Sequence, residues 1–197
     1  MISVGETRTL LAQLGALESQ PTSDWRGDFA LPTPLEDYYR EIGPLGAFIN
    51  ERVGYSGVSI PSVGSPIDLP PLARLWDWQA GYHWHGITRQ RLEDWDDAWL
   101  MIASQGGDPF IFKLPSGEIL FAQHGGGAWN PEVIFPDIIT MTACLATIGS
   151  VYNEAGDDLW TEDESVNPRF RAILETKLAA ILGSESAAAA LADLFEW

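Results

Sequence analysis

The chain has 197 residues, 46% hydrophobic and 20% charged, enough for one sizeable core without a second domain. Its 28 acidic residues stand against 11 basic ones, and the resulting net charge of −17 disfavours nucleic acid or an anionic membrane as partner and suits a basic protein. The single cysteine, Cys144, lies in the apolar stretch 141–148, so it forms no intrachain disulfide and reads as a core thiol in a reduced compartment.

The opening residues, MISVGETRTLLAQLGALES, lack a basic leader region and a long apolar core. No window approaches the ~20 apolar residues of a membrane span, so a cytoplasmic location is expected. Ser3 and Glu6 have capping-box spacing before Leu10, Leu11, Leu14 and Leu17, which predicts a first helix. Thr33 and Glu36 repeat the spacing with Pro34 at the first helical position, and this second helix carries Leu35, Tyr38, Tyr39 and Ile42 before Gly43-Pro44 stops it. Residues 20–29 read as a polar loop between them. Residues 53–69, rich in Gly, Ser and Pro, predict an irregular connection with one short strand at 58–60. Pro70-Pro71 then opens a helix through Leu72, Leu75 and Trp76 that ends near Gly81.

Residues 95–129, WDDAWLMIASQGGDPFIFKLPSGEILFAQHGGGAW, hold three short apolar runs at 99–103, 110–114 and 119–122, separated by turn residues. They predict an antiparallel meander. Pro115 suits the start of a type I turn and Gly117 a left-handed position in the second hairpin. Gly125, Gly126 and Gly127 lack the Lys and Ser or Thr of a phosphate loop and read as a strand-to-helix bend. Pro136-Asp137 starts a helix with Ile138, Met141, Leu145 and Ile148 on one face, closed by Gly149. Residues 154–164 hold six carboxylates and no base; Asn167-Pro168 then opens a helix bearing Phe170, Ile173, Leu174, Leu178, Ile181 and Leu182. Ser184 caps a last, alanine-rich helix ending in Leu194, Phe195 and Trp197. With ten acidic and three basic residues, 151–197 carries −7, the densest acidity in the chain.

The order of an apolar strand, GGDPF, a strand, a Gly turn, a strand, HG, and a Trp before an amphipathic helix resembles the SUKH superfamily, the Smi/Knr-type group. A second block, LPTPLEDYYREIGPLG at 31–46, is similar to that family's leucine-proline and acidic-tyrosine helix ending in a Gly turn. The resemblance spans roughly residues 31–149, as the core of a single domain over 1–197, and leaves 150–197 as an acidic loop and a two-helix extension. It implies a bacterial immunity role: a cytosolic protein that binds a cognate toxin domain and blocks it, a binder and no enzyme. Some eukaryotic relatives in the family are regulators.

Motifs for catalysis are mostly missing: there is no G-x-S-x-G, no P-loop, no H-E-x-x-H and no complete EF-hand loop, so no cofactor is implied. His83, His85 and His124 make a three-His metal site conceivable, but without a recognised spacing they read as structural histidines, and no metal is expected. Glu93, Asp94, Asp96 and Asp97, with Trp95 and Trp99, are the most enzyme-like cluster, because glycosidases use paired carboxylates and sugar sites use aromatic platforms; Trp76, Trp78 and Trp84 add to that picture. Asp108 reads as a turn residue accepting local backbone N–H bonds.

The expected fold is α+β, with a small antiparallel-rich or mixed β-sheet flanked by helices and a C-terminal helical addition. The expected function is neutralisation of a cognate toxin, a nuclease being the natural case since a phosphate-binding groove is basic. Two acidic patches are the candidate partner-binding residues: Glu93, Asp94, Trp95, Asp96 and Asp97, and Asp157, Asp158, Trp160, Glu162, Asp163 and Glu164. A carbohydrate-binding or carbohydrate-active protein and a regulatory scaffold are the alternatives.

Overall fold

The computed structural model describes residues 2–197. Helix α1 (Val4–Leu11) starts on the capping box: the Glu6 N–H donates to Ser3 Oγ at 3.3 Å and the Ser3 N–H to the Glu6 carboxylate at 2.9 Å. It ends at Leu11, so Leu14 falls in the following turn and Leu17 bridges to Pro44. Helix α2 (Thr33–Glu41) begins one residue earlier than its spacing predicts. Pro32 holds the cap position without a side-chain bond, and Glu36 accepts the Thr22 hydroxyl at 2.7 Å where a capping box would have it reach back to Thr33. The loop before it is less polar than its composition: Gln20 is buried, donating to Pro44 O at 3.0 Å and accepting the Leu72 N–H at 2.6 Å.

Strands β1 (Phe48–Asn50) and β2 (Gly54–Tyr55) form a separate antiparallel pair. The main sheet contains β3 (Val58–Ile60), β4 (Ile67–Leu69), β5 (Trp99–Gln105), β6 (Asp108–Lys113), β7 (Ile119–Phe121) and β8 (Glu132–Phe135). They lie in chain order with every neighbouring pair antiparallel, so the sheet is wholly antiparallel. The predicted meander is its centre. Its second turn closes with the Gly117 N–H donating to Lys113 O at 2.9 Å, which makes it a five-residue turn, wider than the type I turn that Pro115 suggests. The triple glycine leads into β8, not into a helix.

Side chains alternate across this sheet as a strand's period of two requires. Phe110 and Phe112 of β6 and Ile119 and Phe121 of β7 join the large core, whereas Ile111 and Leu120 belong to a smaller cluster on the opposite face. The helices cover the first face only. Central among them is α4 (Ile138–Ala155), whose Asp137 cap accepts the Thr140 N–H at 2.7 Å. This helix runs through Gly149 instead of ending there. A Cβ at 149 would stand 2.7 Å from Ile60 Cγ2 and 2.8 Å from Leu14 Cδ1, so the glycine serves close packing against β3, and the stop is Gly156 at φ +50°. Helices α5 (Pro168–Leu182) and α6 (Glu185–Leu194) are capped by Asn167 and Ser184 as expected. They bury Phe170, Leu174, Leu178 and Leu191, and Phe195 just beyond them stacks on Phe110 with ring centroids 6.0 Å apart.

The helix expected after Pro70-Pro71 is one turn, α3 (Leu72–Leu75), followed by a 3-10 turn at Asp77–Gln79. The buried Gln79 side chain explains the break. Its amide donates to Leu75 O at 2.9 Å and Met101 O at 2.8 Å and accepts the Met101 N–H at 3.0 Å, which fastens the segment to β5. Among the described residues no helix is long and apolar enough to cross a membrane.

Candidate functional site

The helix-free face of the sheet carries Met101, Ile111 and Leu120, covered by Trp78, Tyr82, Trp95, Trp99 and Trp129. Trp95 is only 1% exposed; its ring N–H donates to Trp99 O at 3.0 Å, and it meets Trp99 and Trp129 edge to face. This corrects the expectation that the Trp95 side chain is available to a partner: its indole packs beneath the acidic patch. Glu93, Asp94, Asp96 and Asp97 around it are exposed. Two of the four have local work. Asp96 accepts the Ala98 N–H at 2.7 Å, and Asp97 accepts from Arg91 Nε at 3.1 Å. Arg91 also donates to the carbonyls of His83 (3.2 Å), Leu92 (2.5 Å) and Trp95, so one guanidinium shapes the whole loop.

The second acidic stretch begins in a 3-10 turn at Gly156–Leu159. Asp157, Asp158, Glu162, Asp163 and Glu164 are exposed, and Trp160 among them is 44% exposed. The backbone here is ordered by its own polar side chains. Asp163 accepts from the hydroxyls of Thr161 and Ser165, which hold its carboxyl below the usual carboxylate range, and the Thr161 N–H donates to Ser165 O at 2.9 Å. Asn167, the cap of α5, also donates to Asp158 O at 3.1 Å. The first patch belongs to the aromatic layer and the second follows α4, so the two stand on layers at opposite faces of the sheet and do not merge.

The other chemistry-bearing residues have structural partners. Among the described residues, no group of three or more His, Cys, Asp and Glu side chains could hold a metal ion, and His83, His85 and His124 do not converge. Trp84 is buried under the Arg89 guanidinium, 5.6 Å from its ring centroid, and meets Trp76 edge to face at 4.6 Å. Trp76 in turn packs against Trp25 and Phe29. These rings are spent on packing. Asp108 is not a local turn residue: its carboxylate accepts the N–H of His124, sixteen positions on. Burial pushes the Cys144 thiol up to about 12.

A further exposed surface escaped the sequence reading. Four of the seven large apolar side chains that stand exposed among the described residues lie on the β1–β2 hairpin: Phe48 (57%), Ile49 (53%), Val53 and Tyr55 (40%). The hairpin is built to hold this shape. Asn50 Oδ1 accepts the N–H groups of Arg52 and Val53 at 3.0 Å each, and the Phe48 and Tyr55 rings meet edge to face at 5.4 Å. Residues 51–55 of the hairpin form one wall of a groove of about 710 Å³ whose other walls come from residues 18–26, Leu45 and residues 71–77, while Phe48 and Ile49 stand outside its lining. The only signal in the sequence was the run Ala47-Phe48-Ile49, too short to show a period.

No family model, curated protein or solved structure matches the chain.

Proposed function

We propose that this protein is an immunity-type binder that neutralises a basic toxin domain by covering its active groove. The observation that best supports the reading is the turn at residues 157–164, where an exposed Trp160 stands within four residues of five exposed carboxylates on a backbone already ordered by Thr161, Asp163 and Ser165. An aromatic anchor within a charged rim is the arrangement a protein interface uses, and ordering it beforehand lowers the cost of association. Carboxylates at that density would also speed encounter with a phosphate-binding groove, a nuclease site above all.

Affinity capture with the full chain from its own organism's lysate, at low and high salt, tests this. The reading expects a basic protein whose isolated domain arrests growth and whose toxicity is relieved by co-expression of this chain. Asp157→Lys with Asp158→Lys, and separately Glu93→Lys with Asp94→Lys, should slow association and flatten its salt dependence. These positions are chosen because Asp96 and Asp97 hold their own loop together. Retention of an endogenous partner without toxic activity would turn the assignment to a regulatory scaffold.

A further inference from the structure

His85 does in one turn what Asn50 does in another. Asn50 Oδ1 accepts the backbone N–H groups two and three positions on, those of Arg52 and Val53, at 3.0 Å each. His85 Nδ1 accepts from the same two offsets, the N–H of Ile87 at 3.3 Å and that of Thr88 at 3.2 Å. Each tip is thus ordered by one side-chain acceptor shared between two N–H groups. The acceptors differ in chemistry. A carboxamide oxygen accepts at every ordinary pH, whereas an imidazole Nδ1 accepts only while the ring is neutral and its proton sits on Nε2. A backbone N–H can only donate, so the contacts themselves fix the tautomer at His85.

The dependence on Nδ1 is confined to the tip. The arms of the 83–92 segment are joined by the Leu92 N–H to His83 O at 3.1 Å, the His85 N–H to Gln90 O at 2.8 Å and the Arg89 N–H to His85 O at 2.9 Å, none of which involves the ring. Arg91 adds a bond to His83 O at 3.2 Å. Between these arms Gly86-Ile87-Thr88 has otherwise only long contacts, from the Gln90 N–H to Thr88 Oγ1 at 3.4 Å and from that hydroxyl to Gln90 Oε1 at 3.5 Å. The tip carries Ile87, which at 89% is the most exposed large apolar side chain among the described residues. The charged groups of this neighbourhood are Arg89, which lies over Trp84, and Arg91, which pairs with Asp97; Asp97 and Asp28 act on His83, two positions before. Among the described residues no carboxylate forms an ion pair with His85.

We infer that His85 is a proton-sensitive latch on this tip. Neutral, it fixes Gly86-Ile87-Thr88 and the place of Ile87; protonated, its Nδ1–H faces two N–H donors, and the tip is released while the arms stay paired. Histidine is the side chain that changes charge between about pH 5 and 8, so mild acid operates the latch. Any contact made through Ile87 then holds only while His85 is neutral. The inference stands apart from the immunity reading, because it needs no partner.

Backbone nitrogen relaxation of the full chain tests this, with the heteronuclear amide NOE of Ile87 and Thr88 read at about pH 8 and about pH 5. The native chain should show values like those of the flanking arms at the higher pH and a loss at the lower one, while Arg52 and Val53 keep theirs at both. Long-range proton–nitrogen spectra should find the His85 proton on Nε2 at the higher pH. His85→Asn, which puts at this position the acceptor already used at Asn50, should keep the tip ordered at both pH values, and His85→Ala should release it at both. A tip equally ordered at both pH values in the native chain, a fall that persists in His85→Asn, a His85→Ala tip as ordered as the native one at about pH 8, or a proton found on Nδ1 there overturns the inference. So does a parallel loss at Arg52 and Val53, which would mark general loosening in acid instead of a local latch.

Discussion

Asp108 Oδ1 accepts the backbone N–H of His124 at 2.7 Å and lies 2.5 Å from the same residue's ring Nδ1. The contact fastens the start of β6 to the segment leaving β7, so the GGDPF and HG blocks are two halves of one clamp. Asp108→Ala, which removes that exposed hydrogen bond, should lower stability by about 0.5–1.5 kcal/mol. Asp108→Asn keeps an acceptor oxygen and should cost less. Urea denaturation of the two variants checks both.

Trp95 separates a core role from a binding role. Buried beneath its acidic loop, it should cost about 3–5 kcal/mol when replaced by alanine. Trp160→Ala, at an exposed position, should change stability by under about 0.5 kcal/mol. Thermal and urea unfolding read the difference without any partner present.

His83 gives the fold an acid-side sensitivity. Burial, and then the Arg91 charge, hold its imidazole below the usual value near 6.5, while Asp97 and Asp28 pull the other way. The unfolded chain therefore takes up this proton first as pH falls. The stability that neutral His83 contributes is fully present above about pH 6.5 and is lost on acidification through the folded-state value. His83→Gln should flatten stability against pH in that window.

Cys144 should be inert in the native protein. With its thiol pushed up to about 12 and no exposed surface, the thiolate fraction at pH 8 is on the order of 10⁻⁴. A disulfide thiol reagent should label it only as the chain unfolds, at a rate set by the opening equilibrium. Rapid labelling without denaturant would show that α4 does not pack as described.

The parts legible in sequence are those dictated by local chemistry. Ser3 with Glu6, Asn167 with Pro168, and Ser184 mark helix starts because a cap is satisfied within a few residues. The central strands were legible because Phe110–Phe112 and Ile119–Phe121 are continuous apolar runs bounded by turns. What failed depends on distant partners. Thr33 and Glu36 have capping spacing, yet Thr22 takes the glutamate; Gly149 looks like a stop, yet it fits against Ile60 and Leu14. β4 and β8 are three and four residues long and gain their identity from pairing with neighbours. Of the candidate interface, the carboxylates were readable from charge alone, but burial of Trp95 depends on Tyr82 and Trp129 folding over it. The hairpin surface was invisible because exposure is a tertiary property.

The strictly sequential strand order has a kinetic consequence. β5, β6, β7 and β8 are joined by connections that close early, whereas β4 reaches β5 only across residues 70–98, so the loop-closure entropy is concentrated in one step. The four-strand half is then the natural nucleus, and the β3–β4 pair together with the tryptophan layer borne by residues 78–99 is the part that arrives late and opens first. Native-state amide exchange should show this as slower exchange across 110–112 and 119–121 than across 58–60 and 67–69, with the layer that carries the first acidic patch behaving as a hinged cover on an already rigid half-sheet.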